Sequence, residues 1–214
     1  MTEAAQPVLE DEPAAAATLF GDRIDVARSF TNELARRGEE LGLIGPLEPP
    51  RLWTRHILNS AVLAPLLEAR GRVADVGSGA GLPGLVLAIA RPDVHLTLIE
   101  PMERRVDWLT TEAERLGLDN VDVVRARAED VADDIVVDQV TARAVSALSK
   151  LIPLTAPLVR SGGQLILMKG ARVEDEMEKA RKVILRTHLT DVEVLELGVG
   201  VVEETTRVFR ATVD

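Results

Sequence analysis

Asp75, Gly77, Gly79 and Gly81 stand at every second position, and Leu82, Pro83 and Gly84 follow before an apolar run of helical length. The short apolar segment Arg72-Val73-Ala74-Asp75-Val76 leads into them. Glycine takes positive φ without strain and lets a ligand approach the backbone with no Cβ in the way. Pro83 suits the first turn of a helix, where its missing N–H is no loss. The free N–H groups of that turn, with the helix dipole, can hold an acidic group of a ligand. This is the pattern of a cofactor-binding loop on a strand-turn-helix unit.

Two registers compete for it. In a dinucleotide register, Gly79, Gly81 and Gly84 form G-x-G-x-x-G and Glu100 binds a ribose. That register leaves Gly77 and Ser78 inside the strand, where glycine weakens pairing. In the other, Asp75 to Gly81 read Asp-x-Gly-x-Gly-x-Gly with the acid on the strand. A carboxylate there suits a ligand carrying an ammonium and a sulfonium, S-adenosylmethionine, better than one carrying a pyrophosphate. The second register is favoured; a dinucleotide, or a glycine turn with no ligand, stays open.

Further chemistry sits at other predicted strand ends. Glu100, 16 residues after Gly84, can accept both hydroxyls of a ribose, and Ala128 and Glu129 can border an adenine edge. Arg143 lies where enzymes that methylate exocyclic amines carry Asp/Asn-Pro-Pro-aromatic, a tetrapeptide absent from this sequence. Methylation of adenine N6 or cytosine N4 is therefore disfavoured. A ring nitrogen with a free lone pair needs neither that motif nor a general base, and Arg is a usual partner of guanine O6. Lys169 could hold a phosphate, and Arg207 adds a third cation near the end of the chain. His56, in Trp53-Thr54-Arg55-His56-Ile57-Leu58-Asn59, reads first as a structural histidine whose neighbours Arg55 and Asn59 could cap the cofactor crevice. No pair of His has metal-ligand spacing.

The elements that must position these residues follow from hydrophobic period. Strands are expected near 72–77, 94–99, 121–126, 138–143, 163–169, 191–197 and 205–213, with helices between the first six. Alternation of this kind implies a mostly parallel sheet with helices on both faces. The last two strands are too close for a helical crossover and should form an antiparallel hairpin. Amphipathic helices are expected over 23–42 and 51–68, separated by the loop around Pro46-Leu47-Glu48-Pro49-Pro50. Ligands of such sheets bind at the carboxyl ends of the strands.

Composition sets the outer bounds. The 214 residues suffice for one well-buried domain. Hydrophobic residues make up 46% but aromatics only 2%, with no Tyr, so aliphatic side chains and Ala must build the core. The absence of Cys excludes disulfides, thiolate metal sites and a pyrimidine C5 methyltransferase acting through a cysteine nucleophile. The first residues do not read as a signal peptide, and no apolar stretch reaches the ~18 residues of a membrane span. A cytoplasmic protein is expected. Net charge is −10, which argues against general nucleic-acid binding. Residues 1–22 hold five acids and no base, so the rest of the chain is only −5 and can carry a local basic face. That leader is expected to be disordered; 23–70 should form a helical cap and 71–214 the core of a single domain.

Four stretches together resemble the bacterial ribosomal RNA small subunit methyltransferase G family, also called glucose-inhibited division protein B. They are Arg55-His56-Ile57-Leu58-Asn59-Ser60, Asp75 through Gly84, Arg143-Ala144 and Lys169-Gly170. The likeness runs from about residue 23 to the end of the chain. It implies an α/β, Rossmann-like class I fold that transfers methyl from S-adenosyl-L-methionine to N7 of guanosine 527 in 16S ribosomal RNA. By position it implies cofactor contacts at Gly77, Leu82, Ala128, Glu129 and Arg143, with Glu100 at the ribose; Asp75 and Gly79 join them from the register of the glycine loop. Arg143, Lys169 and Arg207 would face the RNA or the transferring methyl. The implied partner is 16S rRNA within the small subunit or an assembly intermediate, met by a monomer with no metal and no membrane. A small-molecule methyltransferase, which the acidity favours, and an NAD-type nucleotide-binding protein are the rival readings.

Overall fold

A computed structural model describes residues 8–143 and 146–214. Its centre is a seven-stranded sheet: β1 (Arg72–Val76), β2 (His95–Ile99), β3 (Val121–Val124), β4 (Val137–Arg143), β5 (Val159–Lys169), β6 (Leu189–Leu197) and β7 (Thr206–Val213). The strand order is β3-β2-β1-β4-β5-β7-β6. β1 to β5 are parallel, while β7 runs antiparallel to both β5 and β6. The expected hairpin is present, and its second strand is the one that joins the main sheet. β1 and β4 are neighbours from which the chain winds outward in opposite directions, the switch point where a crevice opens at the strand ends.

Helices α1 (Ala15–Phe20), α2 (Ile24–Arg37), α3 (Asn59–Ala61), α4 (Gly84–Ala90), α5 (Glu103–Arg115), α6 (Leu148–Thr155) and α7 (Val173–Arg186) cover the sheet. One aliphatic core joins α1, α2, α4 and α5 to one face, through Phe30, Leu34, Leu85, Leu96 and Leu109. A second core packs α6 and α7 on the other face, through Leu151, Ile152, Ala180 and Phe209. Because both faces are covered, the interior strands bury polar residues as well as apolar ones: Asp75 of β1 and Gln139 and Thr141 of β4 are all fully buried.

Three expectations need correction. Ala15–Phe20 of the supposed leader is helical, and Ala16 and Phe20 are buried in the first core, where apolar burial outweighs the acidic flanks; residues 1–7 lie outside the described residues. The crossover from β3 to β4 carries only the single 3₁₀ turn Ala128–Asp130, since residues 125–136 are rich in charge and lack an apolar stripe. The segment expected as one helix over 51–68 is broken into a 3₁₀ turn (Pro49–Arg51), a π-helical turn (Trp53–Leu58), α3 and a further 3₁₀ turn (Ala64–Leu66). Its side chains share the first core with the sheet, so the 23–70 segment is packed into the same body rather than set over it.

Candidate active site

β1 ends at Val76, so Gly77 opens the turn instead of sitting in the strand. That is the register of the Asp-x-Gly-x-Gly-x-Gly reading. Gly77, Gly79 and Gly81 have φ of 71°, 55° and 91°. At Gly81 a Cβ would lie 2.5 Å from Leu85 Cδ1, and at Gly84 it would lie 2.4 Å from Leu98 Cδ2 and 2.6 Å from Asp75 Oδ2. The first position needs its glycine for conformation and space; the second lets α4 approach β1 and β2. Pro83 stands just before α4, one position earlier than expected. The loop is held from behind by Trp108 of α5, whose Nε1 donates to the carbonyl of Ala80 at 3.1 Å.

Asp75 is fully buried, and its Oδ2 accepts the Gly84 N–H at 3.0 Å. Burial pushes its pKa up to about 7, against the opposing pull of its hydrogen bonds and of Arg143. Glu100 follows β2 and is fixed by two backbone donors, Gly79 N and Met102 N, each at 3.0 Å, with Arg105 at 3.8 Å. A carboxylate has about four lone-pair directions, so this one still has acceptor capacity for a vicinal diol. Glu100 lines a cleft of about 440 Å³ with Gly77, Ile99, Ala128, Glu129 and Arg143. Ala128 is buried there and Glu129 is exposed. Asp75, Gly79 and Leu82 are not on its wall; the first two act from behind through Gly84 and Glu100, and Leu82 is part of the turn.

A second cleft, about 670 Å³, lies on the β5 side. Its lining includes the cations Arg55, Arg143, Lys169, Arg172 and Lys179 against the carboxylates Asp175, Glu176 and Glu204. A local basic face therefore exists on this acidic chain. Lys169 is partly buried, with its side chain 6% exposed and its Nζ donating to Ser146 O and to Glu176 Oε2, both at 2.7 Å. Glu176 also accepts the Leu148 N–H at 3.1 Å, which ties α7 to the start of α6. Arg207 sits opposite Lys169 in the β5–β7 register, but its guanidinium pairs with Glu174 and does not line the cleft. Arg55 and Asn59 line this second cleft, not the cofactor crevice they were expected to cap. Ala144, the second half of the Arg143-Ala144 motif, lies outside the described residues.

Arg143, the last residue of β4, is on the wall of both clefts. Its Nη2 meets Nδ1 of His56, and His56 Nε2 lies 2.5 Å from Oε2 of Glu48. Glu48 is held in turn by Arg51 Nη2 at 2.8 Å. Burial, with Arg143 beside it, lowers the His56 pKa to about 4, and burial with Arg55 nearby lowers that of Arg143 to about 10. Arg51 and His56 outweigh desolvation at Glu48 and bring it down to about 2. At neutral pH the set is therefore carboxylate, neutral imidazole, guanidinium. Only the Nε2–H tautomer serves both contacts: it donates to Glu48 and accepts from Arg143. Glu48 and Glu176 escape a reading of the sequence, because no local spacing marks a partner eight residues away in a proline-rich loop or on a helix facing another strand.

A model of the family described as rRNA small subunit methyltransferase G matches residues 23–203. The chain belongs to this family. Curated members named ribosomal RNA small subunit methyltransferase G include one from Clavibacter michiganensis subsp. michiganensis, 66% identical over 96% of this chain and 97% of that one. Another, from Clavibacter sepedonicus, is 67% identical over 96% and 97%. Among solved structures, a SAM-dependent methyltransferase from Aquifex aeolicus superposes with a TM-score of 0.60 at 19% identity, covering 81% of this chain and 98% of that one. The fold is thus the Rossmann-like one of S-adenosylmethionine-dependent methyltransferases, as the methyltransferase G resemblance implies.

The residues of the first cleft fit that cofactor. Gly77 brings main chain with no Cβ to the wall, Glu100 can take a ribose diol, and Arg143 Nη1 is buried there with no hydrogen-bond partner among the described residues, as is Asp75 Oδ1 behind the turn.

Proposed function

We infer that this chain is the 16S ribosomal RNA methyltransferase of its family. It transfers the methyl group of S-adenosyl-L-methionine to N7 of guanosine 527. One observation carries the reading at the level of the site: Arg143, at the switch point between β1 and β4, borders both the crevice that fits the cofactor and the basic cleft beside it.

When bound, the cofactor supplies an electrophilic methyl on a sulfonium. Gly77, Glu100, Ala128 and Glu129 hold its nucleoside, and Asp75 faces its cationic end through the loop it braces. The target base, turned out of its stack, enters the β5-side cleft, where Arg143 and Lys169 engage guanine and phosphate oxygens. Arg207, on the far side of Glu174, meets RNA only at the rim. N7 carries its own lone pair, so no side chain need remove a proton. The site agrees with this: His56 Nδ1 is occupied by Arg143 and is not a free base. What the chain contributes is placement of the two reactants, worth several powers of ten when geometry is right.

The substrate is a small subunit or an assembly intermediate rather than bare RNA, because a chain of net charge −10 confines its phosphate contacts to one local basic cleft. The enzyme works in the cytoplasm as a monomer. Mass mapping of 16S rRNA from cells lacking this protein should show loss of one N7-methylguanosine, restored by the purified enzyme. An unchanged map, with methyl passing to a metabolite, would sink the reading.

A further inference from the structure

We propose that His56 is a positioning residue for methyl transfer: backed by Glu48, it fixes the guanidinium of Arg143 at the junction of the two clefts. The proposal rests on the function given above and names a part of its machinery.

A guanidinium is planar and rigid, so fixing one nitrogen orients the others. In Arg143, Nη2 is taken by His56 while Nη1 is buried with no partner among the described residues. One arm is anchored and the other is presented. The anchor is itself braced. His56 is 8% exposed, its far nitrogen is 2.5 Å from Glu48, and Glu48 is tied to Arg51 at 2.8 Å with Arg55 Nε at 3.8 Å. A histidine that merely satisfied a core polar group would need no such sequence of partners running toward the shared wall of two clefts.

The backbone points the same way. His56 lies within the π-helical turn Trp53–Leu58, and such wide turns are rare and concentrate at functional sites. Within that stretch the His56 carbonyl accepts the Ser60 Oγ–H at 2.6 Å. Second partners that fix a tautomer and aim a functional group are a familiar requirement of preorganised sites.

The test is a double-mutant cycle on the full chain with His56→Leu, Arg143→Ala and the pair. Two quantities are read: affinity for S-adenosylhomocysteine by calorimetry, and single-turnover methyl transfer to small subunits from cells lacking the enzyme. His56→Leu should slow transfer about tenfold to a hundredfold, as expected for a misplaced functional group, and should change nothing once Arg143 is Ala. His56→Gln, which restores an acceptor and a donor, should recover most of the rate. Because a buried substitution can cost folding, the cycle is repeated with Glu48→Ala, which should show a smaller loss that also vanishes without Arg143. Additive losses in the cycle, or a His56→Gln enzyme as slow as His56→Leu, would overturn the proposal. If even the wild type fails to methylate small subunits, the substrate reading has failed, and coupling between His56 and Arg143 in the calorimetry still judges the relay.

Discussion

On the β1 side of the switch point the cleft is shaped around a main-chain turn. Gly77 stands on its wall at positive φ, the N–H groups of Gly79 and Met102 hold the Glu100 carboxylate that lines it, and Ile99 and Ala128 add apolar edges. On the β5 side the wall is side chain, and its two strand-end cations are held by other elements, Lys169 by Glu176 of α7 and Arg143 by His56, while Arg207 pairs with Glu174 outside the cleft. The difference suits the two ligands. A cofactor of fixed shape can be met by a fixed backbone, whereas an RNA must find charges that stay soluble and organised in its absence. The acidic partners also explain how a chain of net charge −10 can keep a basic cleft.

The sharpest break of this contrast is Gly77→Val. A branched side chain at φ 71° is a genuine outlier in the wall nearest the ligand. Calorimetry should find no binding of S-adenosylhomocysteine, while circular dichroism at 20 °C stays native. NAD bound more tightly than S-adenosylhomocysteine by the wild type would undo the assignment of this side altogether.

The two sides should also answer pH with opposite sign. Asp75 is pushed up to about 7, so the folded state holds a proton that the unfolded state has already released above its ordinary value of 3.8. Stability is therefore lost as pH rises from 3.8 to 7, and Asp75→Asn should be more stable than wild type at pH 8 by up to about 4 kcal/mol, a gain that fades by pH 4. His56 is pushed down from 6.5 to about 4. It costs nothing above pH 6.5, and as pH falls to 4 the unfolded chain takes a proton the folded one refuses, a loss of up to about 3 kcal/mol. Urea titrations of wild type, Asp75→Asn and His56→Leu across this range would separate the two; parallel curves would mean that neither burial matters.

Activity gives the next contrast. Arg143→Ala should lower both cofactor affinity and transfer, the latter by on the order of a hundredfold. Lys169→Ala should leave cofactor affinity near wild type and slow transfer by about tenfold or more, the worth of one charge-assisted contact. A Lys169→Ala enzyme that methylates at the wild-type rate would return Lys169 to a purely structural pair with Glu176.

The smallest effect concerns salt. Binding to a short single-stranded RNA should weaken with a log–log slope of only about −0.7 for each phosphate contacted. Assembled small subunits should be methylated far faster than protein-free RNA at matched salt; equal rates would mean that the cleft reads RNA without help.

The strands were legible because apolar runs between Gly, Pro and Asp punctuation leave little choice. The start of β5 was missed at Val159–Gly163, where Arg160, Ser161 and paired glycines mimic a loop: of these only Val159 pairs with β4, at Val137, before the register shifts to Gln139 and Gln164. The cofactor side was legible for the same local reason: Asp75 to Gly84 are consecutive, so their spacing survives in one dimension. The acceptor side was only half visible. Arg143 and Lys169 could be ranked by the strand-end rule, but the contacts to Glu48 and Glu176 exist only once β4, β5, α7 and the 49–58 segment are packed. The π-helical turn was invisible because one extra residue in a turn does not disturb an apolar period that short.

Trp108, bonded to the glycine loop through Ala80, has a further consequence. The chain has no Tyr and two Trp, and the other, Trp53, is buried at the start of the turn that carries His56. Each side of the switch point thus contains its own intrinsic fluorophore, uncontaminated by tyrosine emission. With Trp53→Phe, light from Trp108 reports on the glycine loop alone; with Trp108→Phe, light from Trp53 reports on the His56 turn. Stopped-flow records of these two single-tryptophan proteins can time the arrival of cofactor and of ribosomal subunit separately, with no label added.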